Sequence, residues 1–509
     1  MRRYLVSALC GALFLVPLGL AAQPFPVNTA TRGWQQCPAV LAHPEGGYFV
    51  LFASSFGPPG EPHGISAQRF GLSGERLGPE LALATESTTC LAAVPAGPGR
   101  LLAAWGVLNL VGRQTVYARH FDFQGNPLSA KIKVGEGMIY LPPAAACDAD
   151  GRCWIAWIGE SVESLRARRF DAAGEPLGDE IRIDAPGEGE RWDLELSADP
   201  RGGFVASWWN GSTATGTPED PLPPPNGQVL IRRFSAGGEP LGDEFGLGSE
   251  PATFAYSDGA VCHLADGGFV AAVSRVRIDL GGPDEILLRR FDASGAPAGP
   301  ERLAARSTQA PRSLGNLHLA CGPDRLLLLW TERSAKGSLF GRFFGLSGEP
   351  LGAPFLVSEP GGRASALLLG PQHFLAAWEE YQSDDDGYDI LGRAYRTAAA
   401  PLSLHGGRFK VEAAFRDPHT RALAPAEPRP LTDDTGLFWF FDNANLELVV
   451  KTIDGCEVNG HFWVFAAGLT DVEAEISVTD TVTGAWKTYR NPPKTAFLPI
   501  QDTRAFACP

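Results

Sequence analysis

The sequence lacks the short motifs that mark several large enzyme classes. It contains no G-x-S-x-G nucleophile elbow, no H-E-x-x-H zinc-protease helix and no G-x-x-x-x-G-K-[ST] phosphate-binding loop. Its nine histidines are scattered singly, and a single histidine is more often a surface or core residue than a catalytic one. No short motif therefore names an activity for this chain.

Long apolar runs are scarce as well. Only residues 4–20 approach the length of about 18 residues that a membrane-spanning helix needs. This run follows Arg2 and Arg3 and ends in small residues before Gln23, so we predict an export signal over residues 1–22. The alternatives are a membrane anchor, for which no charged flank follows the run, and a lipid anchor at Cys10, which lies too deep in the run.

Basic residues are also fewer than acidic ones. The chain carries 43 Lys and Arg against 58 Asp and Glu, which gives a formal net charge of −15. This balance argues against nucleic acid and anionic membrane surfaces as partners. We expect a secreted, periplasmic or cell-surface protein that is a monomer and has no membrane span after signal removal.

Glycine and proline, in contrast, are abundant, with 60 Gly and 42 Pro, and they indicate many tight turns between short strands. An aromatic residue followed four positions later by glycine recurs along the chain. The copies are Phe70/Gly74, Phe121/Gly125, Phe170/Gly174, Phe234/Gly238, Phe291/Gly295 and Phe344/Gly348, with a degenerate copy at Tyr395. A period of about 50 residues indicates a repeat architecture.

Each copy predicts a small antiparallel sheet. Around Phe291, an apolar and basic strand leads into Asp292, which starts a turn, and Gly295 supplies a positive φ, as a hairpin with a glycine bulge requires. An apolar run that ends in an aromatic residue, such as GGFVASW at 202–208, precedes each copy and predicts a strand buried on both faces. With one short strand before this run, each unit has four strands.

Seven such units predict an all-β fold, a seven-bladed β-propeller over residues 23–401. A row of separate small sandwiches is the competing architecture, but about 50 residues are too few for an independent core. Because the seventh copy lacks its outer strand, we expect residues 24–29 to supply that strand and close the ring. Two recurring residue types are expected to be structural. They are the tryptophans that end the second strands (Trp105, Trp157, Trp208, Trp330 and Trp378) and an arginine that pairs with a nearby acidic residue (Arg69, Arg169, Arg233, Arg290 and Arg342).

The repeats resemble the divergent kelch-like or integrin-like (FG-GAP-type) blades of secreted bacterial proteins. The best match is WEEYQSDDDGYDILGRAY at residues 378–395. The resemblance covers most of residues 23–401, and it implies a propeller without implying a fixed activity.

The repeat stops near residue 402, and residues 402–509 predict a separate antiparallel β-sandwich. Strand-like runs alternate there with Asp-Gly, Asn-Gly and Thr-Gly turns. The aromatic runs 438–441 and 462–465 fit a sandwich core better than the alternative, a ligand platform. The stretches TDDTGLFWFF, NLELVVK and GLTDVE resemble a C-terminal module that ends many secreted bacterial proteins of unknown function, which implies a domain boundary and an extracellular setting.

Eight cysteines follow the export signal, and an even number in an exported protein favours disulfides. We expect Cys456 to bond to Cys508, and Cys147 to bond to Cys153 across a tight hairpin. The remaining four occupy equivalent places in neighbouring repeats, which suggests the pairs Cys37 with Cys90 and Cys262 with Cys321, although eight cysteines allow 105 arrangements. A zinc site is the alternative, but no Cys-x-x-Cys cluster supports it.

The densest carboxylate cluster lies at residues 384–389. Asp384, Asp386 and Asp389 around a glycine turn could hold Ca²⁺, but the spacing of a standard calcium loop is absent and a solvated loop is favoured. We expect no other cofactor.

Two functions fit the sequence. The first is an exported non-enzymatic propeller whose loops bind an extracellular protein or glycan, above all through the Pro-rich insertion at residues 211–226. The second is a secreted polysaccharide hydrolase with two or three carboxylates converging at one mouth of the propeller channel. The Asp box of sialidase-type propellers is absent, so no catalytic residue is assigned from the sequence.

Overall fold

The fold was analysed in a computed structural model. It describes residues 24–508 except 31–32, 56–62, 73, 89, 109–112, 139–141, 160, 162–163, 188, 200, 212–226, 249–253, 278–282, 308–313, 333–336, 370–372, 384–386, 397–400, 417–422, 442–444 and 484. The predicted export signal lies outside the described residues. The chain divides into two compact units, and the division falls between Ala394 and Tyr395 in the sequence. The sequence analysis predicts the domain boundary at residue 402.

The first unit is built from four-stranded antiparallel meanders that follow one another along the chain. Five of its described sheets have four strands each. The first has β6 (Leu91–Pro95), β7 (Arg100–Leu108), β8 (Gln114–Asp122) and β9 (Ile132–Gly137), and the second has β10 (Ala144–Cys147), β11 (Cys153–Ile158), β12 (Leu165–Phe170) and β13 (Ile181–Arg182). The third has β14 (Glu190–Ala198), β15 (Phe204–Gly211), β16 (Gln228–Phe234) and β17 (Phe245–Gly246), and the fourth has β18 (Phe254–His263), β19 (Phe269–Arg277), β20 (Glu285–Phe291) and β21 (Arg302–Arg306). The fifth has β22 (Leu314–Cys321), β23 (Arg325–Glu332), β24 (Ser338–Gly345) and β25 (Phe355–Ser358).

The beginning and the end of the first unit share one eight-stranded sheet. Its strands are β1 (Phe25–Pro26), β2 (Trp34–Ala42), β3 (Tyr48–Ser55), β4 (Gly64–Phe70), β5 (Arg76–Ala84), β26 (Ala364–Leu369), β27 (His373–Ser383) and β28 (Gly387–Arg396). Strand β1 pairs antiparallel with β28, and the Val27 N–H donates to the Ile390 carbonyl at 2.8 Å. A single parallel bridge between Trp34 and Tyr388 joins β2 to β28. The N-terminal segment is therefore hydrogen-bonded to the last meander of the unit.

The aromatic-to-glycine motif forms the outer hairpin of each meander. In the third copy, Phe170 bridges to Pro176, and the Asp171 carboxylate accepts the N–H groups of Ala173 and Glu175 at 2.9 and 2.8 Å. Gly174 has a φ of 91°, which an L side chain rarely adopts. The same aromatic-to-proline bridge recurs at Phe121, Phe234, Phe291 and Phe344. The repeated sequence motif thus forms the same turn in each of these copies.

In five copies of the motif, an arginine two residues before the aromatic holds this hairpin together. Arg168 lies over the Phe170 ring at 5.8 Å, and its Nε donates to the Gly178 carbonyl at 3.2 Å. Arg119, Arg232, Arg289 and Arg342 make the same two contacts. A guanidinium can do both because its planar face packs on the ring while its edge donates hydrogen bonds.

Apolar clusters lie between neighbouring meanders. The second strands are almost wholly buried, and the predicted tryptophans Trp105, Trp157, Trp208, Trp330 and Trp378 are at most 2% exposed. One cluster joins Ile286 of β20 to Leu326 of β23, and another joins Trp154 of β11 to Phe204 of β15. Each sheet therefore depends on its neighbours to bury its faces, and the all-β, propeller-like arrangement is confirmed.

The first strand of each meander contacts the first strand of the next. Strand β6 contacts β2 and β10, and the series continues through β14, β18 and β22 to β26, which in turn contacts β2. These first strands also line one cavity together.

The second unit consists of two five-stranded sheets that share one core. One sheet contains β29 (Leu402–Leu404), β30 (Phe409–Arg416), β31 (Leu423–Pro425), β36 (Ala474–Asp480) and β37 (Trp486–Asn491), and the other contains β32 (Glu427–Pro430), β33 (Thr435–Trp439), β34 (Leu446–Gly455), β35 (His461–Gly468) and β38 (Ile500–Ala507). A one-turn helix, α1 (Cys456–Asn459), joins β34 to β35. Phe415 of the first sheet stacks on Phe440 beside the second, with ring centroids 4.5 Å apart. Phe438, Phe440, Phe462 and Val464 belong to this core, so half of each aromatic run faces inward.

In the described part of the chain, we find no helix long and apolar enough to cross a membrane.

The hairpin geometry predicts a difference between two glycines of one turn. At Gly295, φ is 86°, and an added Cβ would overlap the Arg233 guanidinium, which is held by the carbonyls of Ala293 and Ser294. We expect Gly295→Ala to destabilise the first unit by about 1–2 kcal/mol. Gly299→Ala is the matched control because nothing lies within 4 Å of its Cβ position. Urea unfolding of both variants checks this, and equal midpoints for the two variants would contradict the assignment.

Candidate functional site

A cavity of 750 Å³ lies where the first strands of the meanders meet. Its walls come from β2, β6, β10, β14, β18, β22 and β26. A second cavity of 910 Å³ shares Cys37, Asp193, Asn316 and Arg363 with the first, so the two adjoin. Volumes of this size suit a small ligand or a few sugar units. We call the combined space the central cavity.

Bulges reshape the cavity wall at the beginnings of several first strands. One extra residue interrupts the pairing in β2, β14, β18 and β22. In three of these bulges a residue other than glycine has a positive φ: Cys37 at 54°, Asp193 at 51° and Asn316 at 49°. Asp and Asn adopt this conformation more readily than most residues. Bulges of this kind redirect side chains and are frequent beside functional sites.

Three carboxylates reach from one meander to the backbone of the next. Asp258 accepts the Leu317 N–H at 2.8 Å, and Glu379 accepts the Cys37 N–H at 2.8 Å. Glu195 is held in the same way by the N–H of Val261. These bonds link β18 to β22, β27 to β2, and β14 to β18.

The carboxylates at the cavity wall are hard to ionise. Burial, followed by the charge of Asp258, raises the pKa of Glu195 to about 8. Burial, followed by the charge of Asp193, raises the pKa of Asp258 to about 7. Burial also raises the pKa of Glu379, against the bond from Cys37. At neutral pH Glu195 therefore retains its proton, an unusual state for a glutamic acid.

Asp193 differs from the other carboxylates in its surroundings. Its side chain is exposed to the cavity, although the strands around it keep most bulk water away and raise its pKa. The charge that chiefly acts on it is the guanidinium of Arg363, which favours ionisation, whereas the charge of Asp193 opposes ionisation of Glu195 and Asp258.

Arg363 is the cation of this group. Its Nη1 contacts the Sγ atoms of Cys37 and Cys90 at 4.0 and 3.9 Å. These sulfur contacts are weak, so the guanidinium keeps donors for a ligand. The cavity thus brings together the protonated carboxyl of Glu195, the carboxyl of Asp193 and the guanidinium of Arg363.

The cysteines pair as the sequence suggests. The disulfides are Cys37–Cys90, Cys147–Cys153, Cys262–Cys321 and Cys456–Cys508. Two of them join the first strands of neighbouring meanders, or the residue just before, and border the central cavity. Among described residues, Asp454, Cys456 and Cys508 form the one cluster with closely spaced metal-ligand atoms, and both of its sulfurs are in a disulfide.

The predicted calcium loop is described only in part. Asp384 and Asp386 lie outside the described residues, and the Oδ1 atom of Asp389 accepts a hydrogen bond from Asn28 Nδ2 at 2.7 Å. Asp389 therefore helps to hold the N-terminal segment, and a calcium role for the loop stays a prediction.

The recurring arginines divide into two groups. Arg69, Arg169 and Arg290 pair with Glu45, Asp148 and Asp266 as expected. The expectation is wrong for Arg233, which donates to carbonyls of the next outer hairpin, and for Arg342, which donates to the carbonyls of Gly352 and Ala304. At these two positions backbone carbonyls accept the guanidinium hydrogen bonds.

The Pro-rich insertion starts beside the strand that carries Asp193 and Glu195. Gly211, its first residue, pairs with Glu190 of that strand. The rest of the insertion, residues 212–226, lies outside the described residues.

The chain is similar to solved structures of other proteins. No family model and no curated protein matches it. Among solved structures it is similar to a protein of unknown function from Dyadobacter fermentans, with a TM-score of 0.47, 11% identity, and coverage of 75% of this chain and 100% of that one. It is also similar to the polysaccharide lyase Uly1 (TM-score 0.44, 9% identity, 71% and 90% coverage) and to an α-L-arabinanase from Penicillium chrysogenum (0.39, 12%, 74% and 96%). Similarities this distant carry no conclusion about the reaction.

The sequence analysis did not identify Asp193, Glu195, Asp258 or Arg363. The available signal was a carboxylate inside an otherwise apolar first strand, as in WDLEL at 192–196. From the sequence alone, a buried acidic residue in such a strand looks the same as a solvated one, because its burial depends on how the first strands pack.

The raised pKa of Glu195 predicts a pH-dependent stability. A carboxyl that ionises at about pH 4.5 when unfolded and at about 8 when folded weakens the folded state progressively between these values. Below pH 4.5 both states are protonated and the penalty disappears. We therefore expect Glu195→Gln to raise the melting temperature relative to the parent at pH 8.5 and to change it little at pH 4.5. Differential scanning fluorimetry across this range measures the difference, with Glu175→Gln on an exposed hairpin as control. A pH-independent difference would contradict the assigned environment.

Proposed function

We propose that the protein is an exported hydrolase of polysaccharides, with its active site in the central cavity. The observation that carries this proposal is the convergence of Glu195, Asp193 and Asp258 with Arg363 in one cavity. Cleavage of a glycosidic bond needs one carboxylic acid that holds a proton and one carboxylate that does not. We assign Glu195, whose pKa is raised to about 8, as the acid, and Asp193, beside the Arg363 guanidinium, as the carboxylate.

The architecture belongs to the same proposal. We take the first unit as a seven-bladed β-propeller and the second as a β-sandwich module, with residues 1–22 as the export signal. The closed series of contacts among first strands supports the blade count, and the shared core of two sheets supports the sandwich. Four disulfides support an oxidising, extracellular setting.

In the proposed reaction Glu195 is the general acid and Asp193 is the general base. Glu195 donates its proton to the glycosidic oxygen as the bond to the anomeric carbon breaks. Ionised Asp193 accepts a proton from a water molecule, whose oxygen forms the new bond to that carbon. Asp258 acts as a positioning residue, because its charge keeps Glu195 protonated and its hydrogen bond holds β22 in place. Arg363 orients sugar hydroxyls and favours the anionic form of Asp193.

A panel of polysaccharides tests this proposal. We expect reducing ends to be released from at least one of arabinan, xylan, mixed-linkage glucan and polygalacturonate. Activity should fall as pH rises through about 8, because Glu195 then loses the proton that it must donate. Glu195→Gln and Asp193→Asn should each lower kcat about 10²- to 10⁴-fold.

The control is Asp266→Asn, a carboxylate on the turn between β18 and β19, away from the bulges. It should retain the parent kcat. If Glu195→Gln and the control have equal activity on a substrate that the parent cleaves, Glu195 is not the acid.

A non-enzymatic binding role is the second candidate, because the Pro-rich insertion leaves β15 beside the strand that carries Asp193. In this alternative the insertion presents a surface for an extracellular protein or glycan. Deleting residues 212–225 should leave the melting temperature within a few degrees of the parent and abolish capture of the partner from culture supernatant. Capture that survives the deletion would remove the insertion from the binding surface.

A further inference from the structure

An aromatic group lies at the edge of the central cavity. Trp34 and Tyr388 are joined by the parallel bridge between β2 and β28, and their ring centroids are 5.6 Å apart at 74°. Tyr381 packs against Tyr388 at 5.3 Å and 63°. Trp34 is 40% exposed and Tyr381 is 49% exposed, although the remaining large aromatics of the first unit are mostly in its core. We call these three residues the aromatic platform.

The platform and the carboxylates share one space. The 910 Å³ cavity is lined by Trp34 and Tyr388 and also by Asp193 and Arg363. A ligand chain that lies on the platform can therefore extend to the catalytic carboxylates.

The backbone around Trp34 is shaped to keep its ring in this place. Gly387 has a φ of 78°, and a Cβ there would overlap the Gly33 carbonyl and the Trp34 ring. The ring is thus held between two strands rather than free on a loop, and little conformational entropy is lost when a ligand packs on it.

The chemistry of the lining identifies the class of ligand. The electron-rich faces of aromatic rings attract the C–H edges of a sugar ring, and the amides of Gln36 and Asn316 can bond its hydroxyls. Asp193, Glu379 and Arg363 line this cavity, and burial raises the pKa of both carboxyl groups. A uronate would have to bring its own charge into surroundings that already disfavour ionised carboxylates, so a neutral sugar is favoured.

We propose that Trp34, Tyr381 and Tyr388 form a subsite that packs against a sugar ring of a neutral glycan, next to the cleavage point at Asp193 and Glu195. This inference rests on the proposed hydrolase function and adds to it the class of substrate and the place where the chain lies.

Binding and turnover of the full-length protein test the subsite separately. Binding is measured by affinity electrophoresis through arabinan, xylan, mixed-linkage glucan and polygalacturonate, in the Glu195→Gln background to prevent turnover. We expect retardation by at least one neutral polymer and not by polygalacturonate. Trp34→Ala and Tyr381→Ala should each weaken binding about tenfold, and Trp34→Phe, which keeps a ring, should weaken it less.

The controls separate ligand contact from folding. Phe441→Ala removes an aromatic side chain that is 50% exposed in the second unit, and it should leave binding unchanged. If Trp34→Ala unfolds, Tyr381→Ala, a more exposed position, decides the question. In the active parent background, the platform variants should raise KM about tenfold with kcat within about twofold.

Each outcome bears on one proposal or the other. Ring-dependent binding without cleavage supports the subsite and overturns the hydrolase. Cleavage that is insensitive to Trp34→Ala and Tyr381→Ala overturns the subsite and leaves the hydrolase standing. Preferential retardation by polygalacturonate overturns the neutral class, and the absence of both binding and cleavage overturns both proposals.

Discussion

Each meander of the first unit is apolar on both faces, and this constraint governs the rest of the structure. Leu326 and Leu327 are neighbours on β23 that point to opposite faces, and both are fully buried. Such a sheet is stable only between two others, so the meanders pack in series. Consequently their first strands converge on a common space, and side chains from distant parts of the sequence meet there.

Because the first strands converge, backbone N–H groups of one meander can donate to carboxylates of another, and this allows acidic residues at such a site. Asp258 and Glu379 each accept a backbone N–H of another meander, so the acids help to join the first strands. Burial nevertheless raises the pKa values of both, and the charge of Asp193 raises that of Asp258 further. The same residues thus stabilise the fold and have the raised pKa values that an acid–base reaction can use. The bulge at Asp193 adds a carboxylate that faces the cavity.

The outer hairpins have a different task. Their recurring arginine, aromatic, aspartate and glycine residues satisfy each other within about a dozen residues, so every hairpin can form locally. Because the outer hairpins form without the first strands, the residues around the first strands can differ from one meander to the next. The bulges, the aromatic platform and the ends of the Pro-rich insertion lie in this variable region.

The sequence by itself determined the features that depend on local spacing. The recurrence of Phe and Gly predicted the meanders and their turns, and equivalent positions in the repeats suggested the cysteine pairs. The all-β class followed because the pattern of apolar runs and turn residues is complete within each repeat. What only the tertiary structure decided is which side chains share the cavity. Asp193, Asp258 and Arg363 come from three repeats, and in sequence each resembles an ordinary surface charge. Their desolvation and the charge interactions between them exist only when the first strands meet. Electrostatic environment depends on distances in space, and no local pattern records them.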